Sequence, residues 1–295
     1  MTYAIINYHY IRERGSNGIH PCTIERFHAQ LRRLGEHFTI VSPSELYECA
    51  RSGQPGRYAA VSFDDGLAEH ARVAFPALRE AGLCGAFFPL GLPLKEAKLP
   101  PTHKLHILLG RLSTEELVGR LEKFFGAACI VPRDRLLNSR RRFDDLLTAN
   151  LKETLIALPP EERNRFIETV FAEVVPDEAA LARETFMSAG ELETLARAGM
   201  EIGSHTYSHL SLETLDGSMQ RDEIERGTAV VAGIIGRAPQ FFSYPHGRYT
   251  SDTLDILAAG GFKRAFILGA RDVGAGDRPL EIPRYDTNDM EVANL

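Results

Sequence analysis

The stretch AAVSFDDG at residues 59–66 decides the fold class of this chain. Residues 59–63 are a short apolar run of the kind that forms a buried strand, and two adjacent carboxylates, Asp64 and Asp65, follow it. Barrels of alternating strands and helices place their active sites at this carboxyl end of the strands. Adjacent side chains on a regular strand point to opposite faces, but Gly66 allows the chain to leave the strand at once, so both acids can face the mouth. Taken alone, Asp-Asp-Gly is equally good turn chemistry, and a polar loop stays open as an interpretation.

Short apolar runs alternate with helical patterns on both sides of this stretch, which is typical of a parallel sheet with crossover helices. Counting gives seven or eight strands, the number that closes a barrel, so we expect an α/β barrel. Strands are predicted at residues 3–8, 38–41, 59–63, 85–89, 200–203, 240–244 and 264–268, and helices at 23–38, 67–81, 188–199, 219–235 and 251–259, with a further helix capped by Ser42.

From residue 95 to residue 186 the composition changes. This stretch holds 15 basic and 15 acidic residues but only 3 of the chain's 25 glycines, and four of its segments show helical spacing. A balanced, charge-rich helical stretch usually has solvated outer faces and no chemistry of its own. We expect a single barrel domain over residues 1–295 that carries a helical insertion at 95–186.

A second motif, GSHTYSH at residues 203–209, follows the strand predicted at 200–203. If the segment takes a helical turn, His205 and His209 lie one above the other and can converge on one ion. Two unrelated histidines are the alternative, since such pairs also occur by chance. With one carboxylate of the aspartate pair they would make a two-histidine, one-carboxylate set with open positions for water and substrate. The other carboxylate would then be free to act as a base.

These two motifs, in this order and spacing, resemble those of the NodB-type polysaccharide deacetylases, which form carbohydrate esterase family 4. FSYPHG at residues 242–247 is similar to the family's third motif, and Tyr8-His9 resembles the opening of many members. The resemblance covers about residues 1–92 and 187–290 and omits the helical segment. It implies a distorted (β/α) barrel, NodB-like, and a metal-dependent N-deacetylase that acts on an N-acetylated amino sugar or glycoconjugate.

The resemblance also implies roles for the matching residues. Asp65, His205 and His209 would bind a divalent metal, most often Zn²⁺ and sometimes Co²⁺ or Ni²⁺. Asp64 would be the general base, taking a proton from the water that attacks the acetyl carbonyl. The loop Tyr244-Pro245-His246 would bind the acetyl group of the substrate, and the backbone N–H of His246 would help to hold the oxyanion.

Two departures from the family pattern leave roles open. Many members carry an arginine where Ser243 stands, and Arg284 is our candidate to orient the base from a later strand end; a surface ion pair with Asp286 is the equal alternative. The family's late Leu-x-His, which supplies the general acid, has no match at residues 266–270. A histidine elsewhere is the natural substitute, although each one taken singly is more often structural. The candidates are His9, which we also expect to bind substrate, His246, and His103 or His106.

Composition limits the classes of partner. A net charge of −6 lacks the basic footprint of a nucleic-acid-binding protein, and 44% hydrophobic with 25% charged residues is typical of a globular chain. Four cysteines without CxxC spacing favour free thiols in a reducing compartment. Because no signal-peptide pattern or membrane-spanning run is found, we expect a cytoplasmic protein whose partner is a small-molecule or glycan substrate. A homo-oligomer is compatible with the sequence.

Two other functions stay open at this stage. The same barrel and metal site would suit a hydrolase of a non-sugar amide such as a ureide. The absence of the late histidine, together with a serine at position 243, would suit a catalytically silent carbohydrate-binding relic. Binding alone, however, does not need the acids and imidazoles of both motifs. The remaining histidines, His70 among them, are expected on the surface.

Overall fold

Residues 1–16, 18–139, 141 and 143–289 are described by a computed structural model of the chain. Contacts between Cα atoms divide the chain into two units. The first unit comprises residues 1–13, 22–98 and the chain from 179 onward, and the second comprises residues 14–21 and 99–178. The expected description as one barrel domain with an insertion at 95–186 stays a prediction.

The first unit contains a sheet of strands β1 (Thr2–Tyr8), β2 (Thr39–Ile40), β3 (Arg57–Asp65), β4 (Ala86–Pro89), β5 (Glu201–Ile202), β6 (Phe241–Ser243), β7 (Arg264–Leu268) and β8 (Ile282–Asp286). All of its strand pairs are parallel. The strand order is β5-β4-β3-β1-β8-β7-β6, and β2 pairs with β3. Sequence-adjacent strands are therefore joined by crossover connections, as the alternating pattern predicts.

The two ends of this strand order meet. Ser204, just after β5, forms a parallel bridge with Phe242 of β6. The N–H of Ser204 donates to the carbonyl of Phe241 at 2.9 Å, and the N–H of Ser243 donates to the carbonyl of Ser204 at 3.0 Å. The sheet is thus a nearly closed barrel of seven parallel strands with helices around it. This confirms the expected α/β fold of the (β/α)7-8 barrel type.

Alternate residues of each strand enter two different apolar layers. On β1, Ala4 and Ile6 pack with the surrounding helices, whereas Ile5 belongs to another cluster. In that other cluster Phe88 of β4 and Phe266 of β7 have ring centroids 5.4 Å apart, although three strands separate them in the sheet. Only the inside of a barrel brings such distant strands together, so this cluster is the barrel interior.

The described residues form helices α1 (Ile24–His37), α2 (Pro43–Ser52), α3 (Phe75–Glu80), α4 (Gly91–Glu96), α5 (Pro101–Arg111), α6 (Thr114–Phe125), α7 (Leu146–Ala157), α8 (Pro160–Val174), α9 (Glu178–Thr185), α10 (Ala189–Arg197), α11 (Gly217–Ile235) and α12 (Ser251–Ala259). At least two of these helices begin at the capping residues that the sequence predicts. Ser42 caps α2 by accepting from the N–H of Glu45 at 3.2 Å. Ser188 and Glu191 form a capping box at the start of α10.

The helix predicted at 67–81 is replaced in its first part by a wider turn. His70–Ala74 form a π-helical turn and α3 follows it, because Pro76 has no N–H with which to continue α-helical bonding. The expectation that His70 lies on the surface is wrong. Its side chain is fully buried, and its Nε2–H donates to the carbonyl oxygen of His9 at 2.7 Å. Burial lowers the pKa of His70, so the ring is neutral at pH 7.

The second unit is helical and has its own core. Helices α5 to α8 supply it, with a 3-10 turn at Gly126–Ala128 after α6. Among its fully buried side chains are Leu108, Leu117, Leu121, Leu151 and Phe166. In the part of the chain that the structure describes, no helix is both long and apolar enough to cross a membrane.

Candidate active site

A layer of buried polar side chains lies above the apolar interior, at the carboxyl ends of the strands. Side chains two residues apart on a strand share a face, so Ser62 and Asp64 continue the inner face of β3. Asn7 of β1 pairs in register with Ser62, and Arg284 of β8 occupies the corresponding inner position beside them. All four side chains are almost completely excluded from solvent, so their polar atoms need partners within the layer.

Arg284 and Asp64 form a bidentate ion pair in this layer. The two terminal nitrogens of Arg284 donate to the two carboxylate oxygens of Asp64 at 3.0 and 2.7 Å. The guanidinium is 1% exposed and its Cζ lies 5.6 Å from the ring centroid of Phe88 and 5.7 Å from that of Phe266. The interpretation of Arg284 as a surface ion pair with Asp286 is therefore wrong. Arg284 instead contacts Asp64, as expected of a residue that orients the base. Its part in catalysis stays a prediction.

Further donors surround the same carboxylate. Asn7 Nδ2 and Ser243 Oγ each donate to Asp64 Oδ2 at 3.0 Å, and Ser243 Oγ also accepts from Arg284 at 2.8 Å. Burial opposes the ionised form of Asp64, but Arg284 and the imidazoles of His205 and His9 lower its pKa to about 2. The carboxylate is consequently ionised and fixed in orientation near neutral pH.

Asn7 and Ser62 also belong to this layer, although neither is predicted as a site residue from the sequence. Ser62 Oγ donates to Asn7 Oδ1 at 2.9 Å and accepts from Arg284 at 3.1 Å, so this pair positions both partners of the ion pair. The signal that could have found Asn7 is an asparagine inside an otherwise apolar strand, at a position where a buried amide needs several partners.

Asp65 reaches the barrel mouth through an unusual backbone conformation. On a regular strand its side chain would point away from the side chain of Asp64. The φ angle of Asp65 is 76°, in the left-handed region that non-glycine residues rarely adopt, and Gly66 follows at 70°. Both residues, and not the glycine alone, turn the chain out of β3. Asp65 Oδ1 consequently lies 3.5 Å from His205 Nε2 and 3.4 Å from His209 Nε2.

His205 and His209 converge without the expected helical turn. Residues 203–210 are irregular, with left-handed φ angles of 69° at Thr206 and 62° at His209. Thr206 Oγ1 accepts from the N–H of His209 at 3.2 Å, which stabilises this loop conformation. The ring centroids of the two histidines are 5.0 Å apart. His205 and His209 therefore lie close together as expected, but through an irregular loop and not through a helical turn.

Helix α11 holds this loop from behind. Glu223 accepts from the N–H and the hydroxyl of Ser208 at 2.9 and 2.6 Å. Gly227, on the same helix, allows α11 to approach so closely that a Cβ atom there would lie 2.4 Å from the carbonyl carbon of Thr206. The strained loop is thus fixed by a rigid element, as strained functional backbones generally are.

The Asp65–His205–His209 cluster fits a divalent cation. One ligand atom from each residue lies within 4.8 Å of the others, and all three residues are buried. His205 Nδ1 donates to the carbonyl of Ser243 at 2.7 Å, which leaves the lone pair of Nε2 directed at the cluster, as is usual for metal-binding histidines. Burial opposes a positive charge on His205, but the carboxylates of Asp64 and Asp65 raise its pKa, so the site favours positive charge.

His9 and Asp286 lie at the open side of the site. His9 is 32% exposed, with Nε2 4.0 Å from Asp64 Oδ2 and Nδ1 3.6 Å from Asp286 Oδ2. The third-motif loop lies beside the cluster, where the exposed His246 ring has its centroid 4.6 Å from that of His209. The φ angle of His246 is 59°, so this loop is also locally strained.

The other predicted site residues have the following positions. The Tyr244 side chain is buried and its hydroxyl donates to the carbonyl of Leu280 at 2.7 Å, so it anchors the turn that presents Pro245 and His246. His103 and His106 lie on α5, in the second unit. That Tyr244, Pro245 and His9 bind substrate stays a prediction.

Comparisons with known proteins agree with this description. A family model described as polysaccharide deacetylase matches residues 161–265, which include both histidines of the cluster but neither aspartate. A protein of Bacillus subtilis (strain 168), YxkH, provisionally named a polysaccharide deacetylase, is 25% identical over 121 residues. That match spans 41% of this chain and 41% of YxkH.

Solved structures share the fold over almost the whole chain. The Streptococcus pyogenes deacetylase PplD, solved in complex with acetate, has a TM-score of 0.63 at 15% identity and covers 100% of this chain and 96% of its own. IcaB from Ammonifex degensii has a TM-score of 0.62 at 18% identity, with 99% and 94% covered. Together with the family match, these likenesses confirm the expected resemblance to the polysaccharide deacetylases. The enzyme class that the matches support is a hydrolase of carbon–nitrogen bonds other than peptide bonds.

Proposed function

We propose that this protein is a metal-dependent N-deacetylase that removes the acetyl group from the nitrogen of an amino sugar or glycoconjugate. The observation that carries this proposal is the pairing of two preorganised groups at one barrel mouth. One is the cation-binding cluster of Asp65, His205 and His209, and the other is the carboxylate of Asp64, clamped by Arg284. A protein that only bound carbohydrate would need neither.

The cation would be held by Asp65, His205 and His209, with Zn²⁺ as the first candidate because two imidazoles and one carboxylate suit it. When bound, such an ion lowers the pKa of a coordinated water and polarises an amide carbonyl. Asp64, ionised near neutral pH because its pKa is about 2, is the acceptor for the proton of the attacking water. Arg284 and Ser243 keep the carboxylate in the orientation that this transfer needs.

The departing amine needs a proton donor, and His9 is the best placed side chain. Its side chain is 32% exposed, its Nε2 lies 4.0 Å from Asp64 Oδ2, and the carboxylate of Asp286 faces its Nδ1. As an imidazolium, His9 would direct Nδ1–H at Asp286 and deliver the proton on Nε2 to the nitrogen of the scissile bond, which leaves the ring neutral. The buried His70, bonded to the carbonyl of His9, fixes the backbone that carries this ring.

The substrate assignment is supported by the chemistry of the similar proteins and by the position of one turn beside the cluster. PplD is described as a deacetylase and was solved with acetate. In this chain the turn at Pro245 and His246 lies beside the cluster, where an acetyl group would project. An N-acetylated amino sugar, free or within a glycan, presents the required amide.

The test compares zinc content and acetate release for the native chain, Asp64→Asn and Asp65→Ala, with an N-acetylglucosamine oligomer as substrate. The native chain should bind zinc and release acetate. Asp64→Asn should keep the zinc and lose activity by about 10²- to 10⁴-fold, because only proton transfer is removed. Asp65→Ala should lose both. Zinc-loaded protein that releases no acetate would favour a silent relic, and release of product from a cyclic ureide alone would favour the non-sugar hydrolase.

The role of His9 has a separate test in turnover at matched zinc content. His9→Asn should keep the zinc and lower kcat by about 10²-fold, because it removes the proton donor for the departing amine. A kcat equal to that of the native chain would assign the acid to another group.

A further inference from the structure

The turn that follows β8 fixes the orientation of the Asp286 carboxylate. Asp286 Oδ1 accepts from the N–H of Asn288 at 2.8 Å, while Asp286 Oδ2 faces His9 Nδ1 at 3.6 Å. The first contact is that of an Asx turn, in which an aspartate bonds the backbone two residues further along the chain. One carboxylate oxygen is thus held by the turn and the other is left to the imidazole. The position of the turn at Thr287–Asp289 therefore sets the geometry of the pair that Asp286 forms with His9.

Helix α1 holds this turn by two hydrogen bonds to one residue. Gln30 Oε1 accepts from the hydroxyl of Thr287 at 2.9 Å, and a terminal nitrogen of Arg26 donates to the carbonyl of Thr287 at 2.7 Å. Gln30 is 1% exposed and Thr287 is 2% exposed. Because these two side chains are excluded from water, the hydroxyl of Thr287 depends on α1 for its hydrogen bond. The residue directly after Asp286 is consequently fixed to the helix.

The start of the same helix holds the chain on both sides of His9. The N–H of Cys22, two residues before α1, donates to the carbonyl of Tyr10 at 3.0 Å. The ring of Phe27, on α1, packs edge-on against the ring of Tyr8 with their centroids 5.1 Å apart. Both chain neighbours of His9 are therefore held by α1 or by the segment that enters it. One element fixes both members of the pair between His9 and Asp286.

We infer that α1 positions the proton donor of the reaction, and that Thr287 and Arg26 are positioning residues that act on His9 through Asp286. This inference rests on the role proposed above for His9. A displacement of about 1 Å at a reacting group costs up to about 10²-fold in rate, even when the altered residue is remote from the chemistry. If the two bonds from α1 only stabilised the fold, their loss would lower the folded fraction and leave turnover per folded molecule unchanged.

The test compares Thr287→Val with Thr287→Ser, each made in the native chain and in His9→Asn. The measurement is kcat and KM for acetate release from an N-acetylglucosamine oligomer, at matched zinc content and folded fraction. Thr287→Val keeps the size of the side chain but removes its hydroxyl, and it should lower kcat about fivefold with KM unchanged, because proton delivery and not substrate binding is impaired. Thr287→Ser keeps the hydroxyl and should retain kcat within about twofold. In His9→Asn the valine should cause no further loss, because the donor that it displaces is absent.

A second arm removes the other bond from α1 and decides the question if Thr287→Val does not fold. Arg26→Met should lower kcat about fivefold in the native chain and not in His9→Asn, whereas Arg26→Lys keeps a donor for the Thr287 carbonyl and should restore most of the loss. The matched control is Arg33→Met on the same helix. Arg33 pairs with Glu36 of α1 itself, so this change should leave kcat unaltered in both chains.

The outcomes separate this inference from the proposed function. Equal losses of kcat in the native chain and in His9→Asn, or no loss in either, overturn the inference and leave the deacetylase proposal in place. Native turnover in His9→Asn would overturn the inference together with the assignment of the acid. A zinc-loaded native chain that releases no acetate would overturn the inference and the proposed function together.

Discussion

Each of the two units buries an ion pair, and the two pairs differ in what surrounds them. In the barrel, Arg284 and Asp64 are 1% and 3% exposed and lie 2.7 Å apart. In the helical unit, Lys152 and Asp144 are 7% and 4% exposed and lie 2.8 Å apart. By burial and distance alone the pairs are equivalent.

Their surroundings separate a candidate catalytic pair from a structural one. Asp64 adjoins the only cluster of metal-ligand type found in the described residues, and an accessible histidine stands over it. Lys152 donates its remaining bond to the backbone carbonyl of Gly18 at 2.6 Å, and Asp144 pairs with His20 at 3.0 Å, so that pair joins an N-terminal segment to α7. Buried charge therefore marks function only where other reactive groups and access to substrate accompany it.

Arg284→Gln should have the largest effect, because it leaves Asp64 buried without a counter-charge. We expect the free energy of unfolding to fall by about 3–5 kcal/mol. Acetate release per folded molecule should fall by about 10²-fold or more, since Asp64 is no longer held ionised and oriented. Urea unfolding and an acetate assay at matched folded fraction measure both. Normal turnover in the folded fraction would reduce Arg284 to a structural role and remove the distinction between the two pairs.

Lys152→Met should be nearly as destabilising and catalytically silent. Methionine fills the space of the lysine stem but removes the ammonium group that pairs with the buried carboxylate of Asp144, so the free energy of unfolding should fall by about 3 kcal/mol. Acetate release per folded molecule should be unchanged. A fall in kcat comparable with that of Arg284→Gln would show that the second unit takes part in turnover.

Ser243→Ala should have the smallest effect, and it tests the contribution of a single side chain that bonds Asp64. It removes one hydrogen bond to Asp64 and one from Arg284, which should cost about 1 kcal/mol of unfolding free energy and a modest part of kcat. Ser62→Ala is the control, because Ser62 contacts Arg284 and Asn7 but makes no hydrogen bond to Asp64. If both variants lose kcat equally, the layer acts as a whole and the bond from Ser243 to Asp64 has no special role.

Much of this site could be predicted from local patterns. The apolar run before Asp64 predicted β3, and the strand before the second motif predicted where the two histidines would enter. The geometry within each motif could not be predicted in the same way. The left-handed φ of Asp65 and the irregular loop of His205 and His209 result from packing against other elements, including the close approach of α11 at Gly227. A pattern with period 3.6 describes neither.

The sequence by itself determined the barrel class, the strand ends at which acids and imidazoles collect, and the pair of candidate histidine ligands, because hydrophobic periodicity and motif spacing are local properties of the chain. The choice of Asp65 over Asp64 as the third candidate ligand came from the family resemblance. Only the tertiary structure decided that Arg284 clamps Asp64 from 220 residues away, that Asn7 and Ser62 complete the layer, and that His70 supports His9 from the interior. Those contacts depend on the register between strands that are distant in sequence, and that register is set by closing the barrel around its core.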